Sequence, residues 1–274
     1  MKSIILYTTP TSGTGSLTRI VERINAGRMT FRYYFRDVLQ RIPREEIERT
    51  FPPPEGHILL HNDPGRFNRN MDLSAYRFIV NFRDPRDRLC NVYHWQFSHP
   101  HTHETEAETA ARRAAVAEEG IDRWILRRIE KRSERRYYDP IFWLLDNAPP
   151  ENVLVATYAQ LCCDFDAMLG RLQDFMGMSP NEKGRRALEL ERPEGLQQNP
   201  RWIGNKWPGS DIMPGRFLNE LAPETIAALN DCYRPVLRRM ARHDPQFAPQ
   251  YLAGIGRPGQ KGAPKAKGRS DETA

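Results

Sequence analysis

The stretch Ser3-Ile4-Ile5-Leu6-Tyr7-Thr8-Thr9-Pro10-Thr11-Ser12-Gly13-Thr14-Gly15-Ser16-Leu17-Thr18-Arg19-Ile20 decides how the rest of the chain is read. Its short apolar run predicts a buried strand. A loop of Pro, Gly, Ser and Thr follows, and Leu17, Ile20, Val21 and Ile24 then recur at helical spacing. Strand, small-residue loop and helix together aim backbone N–H groups and a helix N-terminus at an anion. The small residues let phosphate oxygens approach the main chain, and Ser12, Thr14 and Ser16 add hydroxyl donors. No Lys lies between Ser3 and Ile24, so this is not a G-x-x-x-x-G-K-[ST] loop. The plainer reading is an ordinary strand-to-helix turn capped by Ser or Thr.

Working outward, the same alternation recurs. His57-Ile58-Leu59-Leu60-His61 reads as a second buried strand ending in the turn chemistry of Asn62-Asp63-Pro64-Gly65. Arg77 to Arg83 reads as a third strand, after which Asp84 caps a helix with Pro85 at its first position. That helix turns Leu89, Val92, Tyr93 and Phe97 inward. Asn152 to Thr157 is a fourth strand, and Asp164 to Met178 an amphipathic helix. Arg28 to Phe35 is either a strand or an irregular link. Further helices are expected over Ile42–Thr50, from Asp139 through Leu145, over Asn181–Leu190 and over Pro223–Met240. Glu104 to Arg136 is heavily charged, with few large apolar residues beyond Val116, Ile121, Trp124, Ile125 and Ile129, and reads as one or two surface helices, a solvated amphipathic face in preference to a mobile lid. Pro193 to Gly215 is rich in Pro, Gly, Trp and Asn and long enough to be a functional loop.

Strands alternating with helices imply an α/β fold: a single domain over residues 1–252 with a central, mainly parallel sheet of four or five strands flanked by helices. Residues 253–274 read as a disordered basic tail, since their Gly/Pro/Lys composition cannot bury a core. In such sheets ligands gather at the carboxyl ends of the strands. The residues to weigh are therefore Pro10 to Ser16, His61, Arg83 and Tyr158.

Composition sets the outer bounds. The chain has 274 residues, 39% hydrophobic and 28% charged, with no apolar run long enough to span a membrane. No secretory signal is expected. Four cysteines form no disulfide framework, which fits the cytoplasm. The formal net charge is +6, and Arg257, Lys261, Lys265, Lys267 and Arg269 against Asp271 and Glu272 put half of it in the tail. The mildly basic remainder suits an anionic cofactor better than nucleic acid.

Four blocks, in order, resemble the sulfotransferase family, which moves a sulfuryl group from 3′-phosphoadenosine 5′-phosphosulfate (PAPS) to an alcohol or amine. Thr9-Pro10-Thr11-Ser12-Gly13-Thr14-Gly15-Ser16-Leu17 resembles the family's P-K-S-G-T-T-x-L loop for the 5′-phosphosulfate. Phe78 to Trp95, with Arg83-Asp84-Pro85-Arg86-Asp87 and Asn91, resembles its 3′-phosphate motif. Val153 to Leu161 followed by Phe175-Met176-Gly177 resembles the strand–Y-E-D-L–helix–F-L-G block, and Pro214 to Leu221 the G-x-W-x-N-x-L block. The resemblance covers about residues 3 to 221.

It implies a P-loop-like cofactor site made of Pro10, Thr11, Ser12, Gly13, Thr14, Gly15 and Ser16 with Arg83, Asn91, Tyr158, Gly215 and Arg216. PAPS is the implied co-substrate and 3′-phosphoadenosine 5′-phosphate (PAP) the product. An Arg fork with a neutral donor two helical turns on suits a terminal phosphate; the alternative for Arg83 is an ion pair with Asp84 or Asp87. Asn91 stands where the family usually has Ser, and Tyr158 is either adenine-lining or a core tyrosine. His61 matches the family's catalytic base, the alternative being a turn histidine bonded to Asp63. The implied acceptor is a small molecule, lipid or carbohydrate, and a homodimer is among the oligomeric states left open.

Two departures bear on activity. Thr11 replaces a Lys that places positive charge on the leaving oxygen, which a hydroxyl cannot do. Arg19, Lys206 and Arg216 are the candidate substitutes. The family's basic R-K-G triplet is replaced by Ser210-Asp211-Ile212, with Arg201 or Lys206 able to supply charge from the same loop. A nucleotide-binding protein that has lost catalysis is the competing reading, and a P-loop kinase a weaker one. Metal binding by His94, His99, His101 and His103 lacks a supporting ligand cluster, so none is assigned. Acyl transfer through Ser12 lacks a G-x-S-x-G elbow.

Overall fold

Ile4–Thr8 forms β1, buried along its whole length, which is what a continuous apolar run does when helices cover both faces of a parallel sheet. A computed structural model of the chain describes residues 1–34, 53–62, 69–98, 104–130, 137–196 and 212–255. After β1 come α1 (Thr14–Asn25), β2 (Thr30–Tyr34), β3 (His57–His61), β4 (Arg77–Asn81) and α2 (Pro85–Ser98). Then follow α3 (Glu106–Glu119), α4 (Ile121–Glu130), α5 (Asp139–Asn147), β5 (Val153–Val155), α6 (Tyr158–Cys163), α7 (Phe165–Met176), α8 (Glu182–Leu188) and α9 (Pro193–Leu196). The last elements are α10 (Phe217–Glu220), α11 (Pro223–His243) and α12 (Ala248–Tyr251).

Among the described residues the strands form one sheet, in the order β2-β3-β1-β4-β5, every pairing parallel. The chain leaves β1 to one side for β2 and β3, then crosses to the other for β4 and β5. β1 therefore stands at the switch point, where the loops that follow neighbouring strands diverge and leave a crevice. In register, Tyr7 lies level with His61 and Val80, and Thr8 with Asn81. These pairings bring the ends of β1, β3 and β4 together at one edge.

The pleat divides the core in two. Ile4, Leu6 and Ile79 pack under α1 and α7 with Leu17, Ile20, Val21, Ile24, Met168 and Leu172. Each of these large apolar side chains contributes roughly 1.5–3 kcal/mol on burial. Ile5, Tyr7, Phe78, Val80 and Phe82 face the opposite way, against Leu89 of α2, Trp124 and Ile125 of α4, Phe142 of α5, and Leu237 and Met240 of α11.

Asp84 accepts the Arg86 backbone N–H at 2.8 Å, with Pro85 opening α2, as expected. Residues 30–34 resolve the strand-or-link alternative as an edge strand. Over its described residues the charged segment forms α3 and α4, amphipathic as expected, with Trp124 and Ile125 of α4 in the core. The fourth strand is short because Thr157 leaves it to cap α6, accepting from the Gln160 N–H at 3.2 Å. α11 continues past Met240 to His243, with Pro235 inside it. Arg86 is fully buried and clamps Asp84, Asn230 and the carbonyls of Gln250, Tyr251 and Ala253. Ile255 packs against the core as well. Residues 256–274, the expected helix over 42–50 and the loop residues 197–211 lie outside the described residues.

Candidate active site

The loop after β1 is shaped from within. Thr9 donates its backbone N–H to the Asn81 carbonyl at 3.1 Å. The buried Ser12 hydroxyl lies 2.6 Å from the Thr9 carbonyl and in close contact with Asn81 Oδ1, while Asn81 Nδ2 donates to the Ala156 carbonyl at 2.8 Å. Thr14 Oγ1 donates toward Thr8 Oγ1 at 3.1 Å and the Thr9 carbonyl at 3.3 Å. Ser16 Oγ donates to Glu191 at 2.6 Å. All three hydroxyls expected as ligand donors are thus engaged inside the protein. The backbone N–H groups opening α1 remain, because Gly13 at its N-cap position makes no side-chain cap. The Thr9 and Thr11 hydroxyls are buried without a hydrogen-bond partner among the described residues.

The loop's conformation is costly. Thr11 has φ 63°, where a β-branched residue rarely sits, a strain of about 1–3 kcal/mol. Gly13 has φ 77°, and a Cβ there would lie 2.9 Å from Leu161 Cδ2 and 3.0 Å from Tyr158 Cδ2. Strain of this kind collects where a ligand must be held.

Arg83 follows β4 on the α1 side of the sheet. It is 4% exposed, its guanidinium lies 3.9 Å above the Tyr158 ring, and Nη1 reaches the Thr11 carbonyl at 3.5 Å. Tyr138 donates its hydroxyl to the Arg83 carbonyl at 3.0 Å, fixing the backbone. Nε and Nη2 are buried and make no hydrogen bond among the described residues. The ion-pair alternative is not found there: Asp84 pairs with Arg86, and Asp87 accepts the backbone N–H groups of Gly215 at 2.8 Å and Phe217 at 3.2 Å. A buried N–H left unsatisfied costs about 1–3 kcal/mol, which an anion placed on it recovers. Asn91, two turns into α2, is buried, at 7% exposed.

Tyr158 is buried under Arg83 and donates to the Ile212 carbonyl at 2.7 Å. Burial pushes its pKa well up, so it stays a phenol. Gly215 is held through Asp87, and the fully buried Arg216 pairs with Glu220 through Nε at 2.7 Å, leaving Nη1 without a hydrogen bond among the described residues. Arg19 is held by Glu191 at 2.6 and 2.8 Å. Of the three candidate substitute cations, two are therefore tied to carboxylates, and Lys206 lies outside the described residues.

His61 ends β3 on the sheet face opposite Arg83, edge-on to the Tyr7 ring with centroids 5.2 Å apart. It is 1% exposed, and burial lowers its pKa to about 4, so the imidazole is neutral at pH 7. Asp63, its alternative partner, is outside the described residues. Among the described residues no His/Cys/Asp/Glu group could hold a metal ion. His94 instead lies 2.9 Å from Glu220.

Sequence reasoning passed over two residues at this site. Arg88, in the first turn of α2, donates from Nε to the Pro10 carbonyl at 3.0 Å. Asn81 joins β1, the loop and the end of β5. Both lie in the quoted motif, yet nothing in a linear pattern says that β4 and α2 lean on the loop of β1.

The residues present fit an anionic ligand: a strained loop with open amides, and beside it a buried guanidinium with two nitrogens that make no hydrogen bond among the described residues. No protein-family model matches the chain, and no curated protein matches it by sequence. Its fold is nonetheless shared with solved sulfotransferase structures. A mouse sulfotransferase, SULT7A1, complexed with PAP, is similar at a TM-score of 0.57 and 17% identity, over 93% of this chain and 89% of that one. Retinol dehydratase with androsterone and inactive cofactor PAP gives 0.53 and 15%, over 86% and 80%. Retinol dehydratase with retinol and PAP gives 0.52 and 15%, over 86% and 81%. The chain is thus a single α/β domain of sulfotransferase-like fold.

Proposed function

We propose that this protein is a PAPS-dependent sulfotransferase acting on a hydroxyl or amine of a small-molecule, lipid or carbohydrate acceptor. The observation that carries the reading is Arg83, a buried guanidinium with Nε and Nη2 unengaged among the described residues, beside the strained loop of β1. Arg83 and Asn91 hold the 3′-phosphate. The amides opening α1, with Pro10 to Ser16 shaping the turn, hold the 5′ end. Tyr158 supports Arg83 from below, and Gly215 and Arg216 close the site from the C-terminal side. The donor supplies an activated sulfuryl group and leaves as PAP.

His61 accepts the proton of the acceptor. Being neutral at pH 7 it is in the right protonation state, though a pKa near 4 lowers its driving force as a base. The remaining work is positioning and charge stabilisation by preorganised donors. The test is PAP release from PAPS across a panel of alcohols and amines. Turnover in the wild type, lost in His61→Ala with PAP binding retained, is the expected result.

A second reading, nucleotide binding without turnover, is favoured by Thr11 and by the carboxylates that hold Arg19 and Arg216. PAP binding without release from PAPS on any acceptor, gained on Thr11→Lys, would select it.

A further inference from the structure

Thr9, the first residue after β1, is 0% exposed. Its backbone is fully used: the N–H donates to the Asn81 carbonyl, and its own carbonyl accepts from Ser12 Oγ and Thr14 Oγ1. Its hydroxyl is buried and makes no hydrogen bond among the described residues. Such a group has given up its hydrogen bond to water, and a ligand oxygen placed on it recovers the loss.

The pleat says which way this side chain faces. Ile4 and Leu6 belong to the cluster under α1, Ile5 and Tyr7 to the opposite one. Thr8 keeps the alternation, since its hydroxyl accepts from Thr14 at the start of α1. The Thr9 N–H bond to Asn81 prolongs the β1–β4 ladder by one residue, so Thr9 comes next on the face of Tyr7 and Phe82. His61 lies on that face as well, edge-on to Tyr7. Tyr7 is level with His61 in the β1–β3 pairing, and Thr9 stands two residues further toward the loop. With a rise of about 3.3 Å per residue and about 4.8 Å between strands, the Thr9 and His61 Cα atoms are about 8 Å apart on the diagonal. A group passing from the loop to His61 therefore crosses Thr9.

Resting on the proposed function, we infer that the Thr9 hydroxyl donates a hydrogen bond to the sulfuryl group of PAPS as that group is handed to the acceptor beside His61. In the transfer the sulfur–oxygen bond to the 5′-phosphate breaks, a bond from sulfur to the acceptor oxygen or nitrogen forms, and the acceptor proton passes to His61. Thr9 forms no covalent bond and gives up no proton. It is a fixed neutral donor at the sulfuryl oxygens, preorganised by its buried backbone. PAP lacks the sulfuryl group, so Thr9 distinguishes the donor from the product.

The test is calorimetric titration with PAPS and with PAP in the absence of acceptor, alongside thermal unfolding of the unligated protein. Thr9→Val keeps the shape of the side chain and removes the hydroxyl. It is expected to weaken PAPS on the order of tenfold and leave PAP unchanged. The unligated variant is expected to be no less stable than the wild type, because the hydroxyl removed was unsatisfied. Thr9→Ser keeps the wild-type ratio of the two affinities, and Thr9→Ala reads that ratio should Thr9→Val not fold. An unchanged ratio in the variant lacking the hydroxyl overturns the inference. So does an equal loss of both nucleotides with a lower unfolding temperature, which marks a hydroxyl that serves the fold alone. Failure of the wild type to bind either nucleotide overturns the proposed function itself, in a separate arm of the experiment.

Discussion

The Asp87 carboxylate accepts the backbone N–H of Gly215 at 2.8 Å, fastening the C-terminal part of the site to the first turn of α2. Its other oxygen accepts from Phe217 at 3.2 Å. Burial, with nearby Asp84, raises the Asp87 pKa to about 6. A raised carboxyl pKa contributes stability that is full below the unfolded value, about 4, and is lost as pH rises through about 6. Asp87→Asn keeps one acceptor and turns an amide toward the second N–H, so it is destabilising. Its deficit in thermal unfolding should be largest near pH 4 and shrink toward pH 6. A deficit that does not vary with pH contradicts this account.

His61 has the opposite sign. Its folded pKa of about 4 lies below the unfolded value of about 6.5, so its contribution is full above that value and is lost as pH falls toward 4. The shift corresponds to about 3 kcal/mol. Measured by denaturant unfolding, His61→Gln should gain on the wild type by that order between pH 6.5 and pH 4. Parallel pH profiles for the two proteins would show that His61 is not buried as a neutral ring.

Gly13→Ala meets both a φ of 77° and side chains of Leu161 and Tyr158 within 3.0 Å of the new Cβ. It should destabilise by about 1–3 kcal/mol and weaken PAP binding, since the loop cannot keep its shape. Gly27→Ala, at φ 81° with nothing within 4 Å, is the control: it carries the backbone cost alone, about 1 kcal/mol, and leaves PAP affinity unchanged. Equal effects at the two positions in unfolding and titration would remove the argument from crowding.

How much of this was legible follows the range of the interactions. β1, β3 and β4 are short apolar runs ended by turn residues, and such signals are local. Arg83 could be picked out because Asp84-Pro85 marks where its strand stops and a helix begins. The inward turn of the Ser12 and Ser16 hydroxyls could not, because it depends on Asn81 and Glu191, which reach the loop only through strand order and the packing of the turn that follows α8. Arg86 is the extreme case: it sits in a motif, yet its partners besides Asp84 are Asn230 and carbonyls beyond residue 249, and no periodicity carries that information. Arg88 was missed for the same reason, since a charged residue one turn into a helix ordinarily reads as surface.

The central claim is that Arg83 holds a 3′-phosphate, and the most direct measurement is calorimetric titration of the wild type and Arg83→Ala with PAP, ATP and 5′-AMP. The account predicts that the wild type binds PAP in preference to the other two, and that Arg83→Ala loses this preference by tenfold or more, about 1.4 kcal/mol at least. Equal binding of all three nucleotides, or PAP binding untouched by Arg83→Ala, would contradict it.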